Sequence, residues 1–174
     1  EVPHGRWSLK PTSSGDNEIA RRIRYGAFIT NADQFDNKCF SISPAESAAM
    51  DPQQRMLLEV GYEALHASSL GKVQLMSSLT GVFVGIAAMD FGEVIKSTPY
   101  ANSVYSATGS TLSVASGRIS YALGLMGPCV SYDTACSAAL AACHAALRAM
   151  QNDECVDGLV LKLGAPLFCA HLLV

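Results

Sequence analysis

Charge is scarce in this chain and nearly balanced. Twelve Lys and Arg face fifteen Asp and Glu over 174 residues, a net charge of −3. Without a basic excess, general electrostatic attraction to nucleic acid or to an anionic membrane is not the organising principle. Long apolar runs are missing as well. The least charged stretch, Ser97–Gly117, is filled with Ser and Thr, so no membrane span is expected. None of the six cysteines forms a C-x-x-C pair, and no His-Cys cluster has zinc-finger spacing. No metal site or disulfide framework is therefore expected. The start, Glu1-Val2-Pro3-His4, carries neither an initiator Met nor a secretory signal. A soluble protein in a reducing cytoplasmic compartment is expected, with most cysteines acting as small buried hydrophobes. There is no internal repeat and no low-complexity segment.

What is present is apolar. Half of the residues are hydrophobic, enough to build a core and to argue against disorder. Residues 1–24 are polar and irregular, and Arg21, Arg22 and Arg24 read as a solvated basic face. Tyr25–Ile29 reads as a short strand or turn. Two helix starts follow. Ser43-Pro44-Ala45-Glu46 has a cap residue, Pro at the first helical position and Glu at the capping-box position. Asp51-Pro52-Gln53-Gln54 repeats that logic with Gln and opens a helix to about Ala67, with Met56, Leu57, Val60, Ala64 and Leu65 as its apolar stripe.

Thr80–Ile86 is an uncharged, β-branched run that reads as a buried strand. Residues 87–108 read as a long loop. Leu112, Ala115, Ile119, Ala122 and Leu123 mark a helix that Gly124 and Gly127-Pro128 stop. Cys129–Thr134 is the next strand, a helix runs from Ser137 to about Met150, and Asp157–Ala165 is another apolar strand. Helices alternating with apolar strands predict an α/β layered fold.

Chemistry concentrates at Cys136, where Val130–Thr134 turns abruptly into an alanine-rich helix. Backbone N–H groups at a helix start have no intrahelical partner and stabilise a thiolate. The arrangement has the mechanics of a nucleophile elbow. A buried structural cysteine is the competing interpretation, and local pattern alone leaves both open. No histidine is placed in the sequence to work with it, though folding can bring distant residues together. His144 lies eight residues on, about 12 Å along the same helix, against a hydrogen-bond reach of about 3 Å. It reads as a core or packing histidine. His66 falls near a helix end, and His4 and His171 lie near the chain ends without a supporting motif.

Several ordered segments carry a family likeness: Glu1–Trp7, Phe35-Asp36, Phe40–Glu46, Met50–Arg55, Gly81–Gly85, Ser116–Tyr121 with Leu123–Leu125, Gly127-Pro128, and Asp133-Thr134-Ala135-Cys136-Ser137. Together they resemble the β-ketoacyl synthase domains of modular type I polyketide synthases, over Glu1 to roughly Leu161. The resemblance implies a thiolase-like layered α-β-α fold. It also implies that residues 1–174 are a partial domain, most of the N-terminal half without its first strand and without the C-terminal half.

Under this resemblance Cys136 accepts an acyl chain, and a malonyl-type extender on acyl carrier protein is decarboxylated and condensed onto it. Two histidines that assist belong to motifs further along the family's sequence. No cofactor is bound directly, since substrates arrive as phosphopantetheine thioesters. The implied partners are acyl carrier protein, neighbouring domains such as an acyltransferase, and a second copy in a homodimer. Two departures stand out: Ala138 replaces a serine usual after Cys-Ser, and the glycine-rich turn expected near Leu161–Pro166 is not recognisable. A truncated docking or dimerisation module, a fatty-acid elongating enzyme and a thiolase are the weaker alternatives.

Overall fold

A computed structural model describes residues 33–88 and 90–163, together with Val2, Glu18, Arg22 and residues 24–26. The chain divides into two units, Glu1–Ala32 and Asp33–Val174. In the first, the Val2 amide donates to the Arg24 carbonyl and Arg22 pairs with Glu18 at 2.6 Å on an exposed surface. Arg22 and Arg24 are exposed, as a solvated basic face requires. Arg21 and most of Tyr25–Ile29 lie outside the described residues.

The second unit begins with helices α1 (Pro44–Ala49), α2 (Pro52–Ala67) and α3 (Lys72–Leu75). Strand β1 (Thr80–Ile86) follows, then α4 (Asp90–Lys96), a 3-10 turn (Pro99–Asn102), α5 (Ser106–Ser110) and α6 (Val114–Leu123). Strand β2 (Cys129–Tyr132), a second 3-10 turn (Ala135–Ser137), α7 (Ala138–Gln151) and β3 (Asp157–Leu163) complete it. The three strands form one parallel sheet in the order β2-β1-β3.

Strand alternation sorts the layers. Val82, Val84 and Ile86 of β1, with Leu159, Leu161 and Leu163 of β3, share one core with Leu57, Leu58 and Leu65 of α2 and Ile119 and Leu123 of α6. Phe83 and Val160 face the other way and pack with Ala142, Ala146 and Ala149 of α7. The result is an α-β-α sandwich, as expected. Each fully buried Leu, Ile or Phe contributes about 1.5–3 kcal/mol relative to exposure. The alanine stripe of α7 lets that helix lie close to the sheet. The gap is closed further by glycines on the same face: a Cβ at Gly85 would lie 2.8 Å from the Ala138 carbonyl carbon.

The helix starts behave as caps, with a difference. Ser43 accepts from the Glu46 amide at 3.1 Å and Asp51 accepts from the Gln53 amide at 2.8 Å. The Glu46 carboxylate instead pairs with Arg118 of α6, and Gln54 accepts from Arg118 Nε at 2.8 Å. Gln54 Nε2 donates to the Thr108 and Thr111 carbonyls at 3.0 and 3.1 Å. Residues that fit a local capping box are taken by a long-range network that ties α1, α2, α5 and α6 together. Removing one partner of this partly buried pair would leave the others stranded.

The expected loop over residues 87–108 is corrected: it holds α4, the 3-10 turn and the start of α5. Its elements are one or two turns long, too short for a periodic apolar pattern, and their caps are local. Thr98 accepts from the Tyr100 amide at 3.3 Å, and Gly109 packs against the Ala49 carbonyl. The short helix α3 was also not expected from the sequence. Gly124 does stop α6, adopting φ 70° while its amide bonds back to Ser120 and Tyr121. Among the described residues, no helix is long and apolar enough to cross a membrane.

Burial pushes the Asp51 carboxyl above its ordinary 3.8, against hydrogen bonds from Gln53 and the nearby Arg55 that favour the charged form. The folded state therefore holds the Asp51 proton to higher pH than the unfolded state. Stability from this group is full at low pH and is lost as pH rises from 3.8 through the raised folded value. Asp51→Asn, which cannot ionise, removes that loss. Its melting temperature should gain on the wild type as pH is raised across this window. A constant difference in melting temperature between the two proteins would contradict this account.

Candidate nucleophile site

The site is assembled at the carboxyl end of the parallel strands, where such sheets open a crevice. β1 and β2 run in register, with Val84 beside Ser131 and Gly85 beside Tyr132. Ser131 is fastened from below, its hydroxyl 3.0 Å from that of Ser116 on α6. After Tyr132 the chain makes a tight turn. Asp133 Oδ1 accepts from the Ala135 amide at 3.2 Å, and the Ser137 hydroxyl donates to the Thr134 carbonyl at 2.8 Å. Between these ties Ala135 has φ 50°, a left-handed conformation that costs an L-residue of order 1 kcal/mol. The strain turns the next side chain, Cys136, outward at the lead-in to α7.

Cys136 is exposed, which removes the buried structural cysteine as its interpretation. The helix behind it is buried along Ala138, Ala142, Ala146 and Ala149. No side chain caps α7; the Ser137 and Ala138 amides donate instead to the Thr134 and Ala135 carbonyls within the 3-10 turn that carries the thiol. A second strained alanine lies at the same edge of the sheet: Ala88, φ 83°, just beyond β1. Gln53 Nε2 donates to its carbonyl at 3.1 Å and to Asp51 Oδ2 at 3.2 Å. Gln53 was missed as a residue bearing on the site. Its only sequence signal was the Asp-Pro-Gln-Gln pattern, which served equally well as a helix start.

The remaining cysteines correct the expectation of burial. Cys155 is buried, Cys129 is exposed, and Cys39 and Cys143 are half-buried. Cys169 lies outside the described residues. Small side chains at a sheet edge or helix flank stay accessible whatever their hydrophobicity, and Cys129 lies on β2, the edge strand among the described residues. His144 is exposed on α7, so it is a surface histidine and not a core one. His66 is also exposed, next to the end of α2, with its ring 6.0 Å from that of Tyr62. His4 and His171 lie outside the described residues.

Comparison with known proteins gives this geometry a family. Residues 1–161 match the family model for the N-terminal domain of beta-ketoacyl synthase. The spectinabilin polyketide synthase system protein NorC of Streptomyces orinoci is 47% identical over 138 residues, which are 79% of this chain and 6% of that protein. Erythronolide synthase EryA3 of Saccharopolyspora erythraea is 45% identical over 141 residues, 81% of this chain and 4% of its own. The chain thus spans less than a tenth of the length of these relatives. Among solved structures, the ketosynthase from module 6 of the bacillaene synthase of Bacillus subtilis 168 superposes with a TM-score of 0.70 at 31% identity. That superposition covers 82% of this chain and 23% of the ketosynthase. With the layered sheet, the strained turn at Cys136 and these matches in hand, the chain belongs to the beta-ketoacyl synthase family, in its N-terminal domain.

Proposed function

We propose that the chain is the acyl-accepting part of a ketosynthase in a modular polyketide synthase, with Cys136 as its nucleophile. The observation that carries the proposal is the strained Ala135 turn, which presents an exposed thiol at the uncapped start of α7. The Cys136 thiolate attacks the carbonyl carbon of an acyl thioester on phosphopantetheine. The new C–S bond forms, the tetrahedral oxyanion collapses, and the carrier thiolate leaves and takes up a proton. The backbone amide of Cys136 itself is the donor that stabilises the oxyanion. In the longer protein, a malonyl-type extender on acyl carrier protein then loses carbon dioxide, and its carbanion displaces Cys136 from the acyl carbon. The two histidines assigned to those later steps belong to the longer protein's other motifs. Residues 1–174 are in this reading a partial domain.

The partners follow from the same reading: acyl carrier protein, a neighbouring acyltransferase domain, and a second copy in a homodimer. Among the described residues β2 pairs with β1 on one side only and leaves Cys129 and Val130 exposed, which supports pairing between copies. The reduced thiol that the chemistry needs fits the cytoplasm. The docking-module reading draws on the unrecognised turn near Leu161–Pro166; through Leu163, β3 runs in regular register with β1 and Leu159 and Leu161 are fully buried, and residues 164–174 lie outside the described residues.

The test is acylation. Incubation with an acyl-N-acetylcysteamine thioester, which imitates the end of phosphopantetheine, should give one acyl adduct by intact mass, mapped to Cys136. A folded chain that takes no adduct, or takes it on Cys129, would overturn the proposal.

A further inference from the structure

A second reactive pair lies away from Cys136, on the turn before α1. Cys39 is half-buried there, its amide bonded to Asp36 Oδ1 at 3.1 Å. Lys72, the first residue of α3, reaches across 33 positions of sequence to it. Its Nζ lies 3.6 Å from Cys39 Sγ and donates to the Cys39 carbonyl. Two rings hold the same ammonium group, Phe40 at 5.8 Å and Tyr62 at 5.4 Å from centroid to Nζ. Phe40 is fixed in turn, stacked on Phe35 and edge-on to Tyr62. Among the described residues Lys72 has no carboxylate partner. A carbonyl and an aromatic box, not an ion pair, therefore hold the nitrogen against the sulfur. The partly exposed thiol admits a small oxidant while the amine stays in place.

We propose that Cys39 and Lys72 form a redox modification site, at which hydrogen peroxide closes a sulfenamide cross-link between Sγ and Nζ. Peroxide first oxidises the Cys39 thiolate: an S–O bond forms, the O–O bond breaks, and hydroxide leaves. The hydroxide released in that step takes a proton from the Lys72 ammonium, and the freed amine lone pair attacks the sulfenyl sulfur. The S–N bond forms, the S–O bond breaks, and the hydroxyl departs as water with a proton from nitrogen. In total the thiol and amine lose two hydrogens, and one peroxide becomes two waters. The atoms need little movement to bond. The link staples the turn before α1 to the start of α3, and a thiol reductant reopens it.

The experiment treats the full chain with hydrogen peroxide, blocks the remaining thiols, and maps chymotryptic peptides by mass. The expected product joins the Cys39 and Lys72 peptides at the sum of their masses less two hydrogens. It should disappear on reduction and be absent from Cys39→Ser. Lys72→Arg keeps the positive charge and a donor to the Cys39 carbonyl but has no nucleophilic amine, so it should fold like the wild type and give no link. Oxidation of Cys39 to sulfinic acid or to a disulfide, with Lys72 unmodified, would overturn the proposal. So would equal cross-link yields in the native and guanidinium-unfolded chain, because proximity in the fold would then play no part.

Discussion

Cys136→Ala should take no acyl group from a thioester donor under conditions that acylate the wild type fully. The substitution removes the attacking sulfur and nothing else of consequence. The side chain is exposed, and it lies outside the alanine stripe that anchors α7. Surface changes of this kind shift stability by about 0.5 kcal/mol or less, so the melting temperature should stay close to wild type. Cys136→Ser should fail as well. It keeps the size and a polar atom, but a serine hydroxyl is not ionised near neutral pH, and among the described residues no side chain is hydrogen-bonded to position 136 to activate it. Loss of the adduct with an unchanged melting curve separates chemistry from folding. Exposed Cys129 serves as an internal control, since its alkylation should be the same in all three proteins. A single adduct persisting in Cys136→Ala would end the assignment of the nucleophile.

The turn that makes this residue special was legible in the sequence as a type and illegible in its detail. A strand running into an alanine-rich helix through Asp-Thr-Ala-Cys-Ser located the elbow. It did not show that the strain sits on Ala135, because nothing in an alanine announces a positive φ. The long elements were legible because burial on both faces makes β1 one continuous uncharged run, and burial of one face gives α2 an apolar stripe. The capping residues Ser43 and Asp51 do what their chemistry suggests. Glu46 and Gln54 do not, because their side chains are drawn to Arg118, which lies more than sixty positions away. Local pattern cannot distinguish a side chain that folds back on its own helix from one that reaches another. The same limit hid α4 and α5, which hold together through tertiary contacts such as that of Gly109 on Ala49. Exposure of the cysteines was equally out of reach, because hydrophobicity fixes how favourable burial is and not which face of the sheet is covered.

Gly85→Ala should strike fold and chemistry together. β1 turns Gly81, Phe83 and Gly85 toward α7, and Gly85 lies under the first residues of that helix. An added Cβ would come 2.8 Å from the Ala138 carbonyl carbon, 2.9 Å from its oxygen and 3.0 Å from the Ala139 nitrogen. All three are backbone atoms, so no flexible side chain can swing aside and the helix start itself has to move. Overpacking of this sort costs about 1–3 kcal/mol. The displaced residues directly follow the elbow, so Cys136 shifts with them, and a displacement near 1 Å lowers a positioned reaction by about 100-fold. The expected result is a lower melting temperature together with acylation of Cys136 slowed by about two orders of magnitude. Gly117→Ala is the matched control. It lies within α6 with no atom within 4 Å of the added carbon. Alanine there should raise stability by about 0.5–1 kcal/mol through helix propensity and leave acylation alone. If Gly85→Ala melted and acylated like the wild type, the close seat of α7 on β1 could not be what sets the position of the thiol.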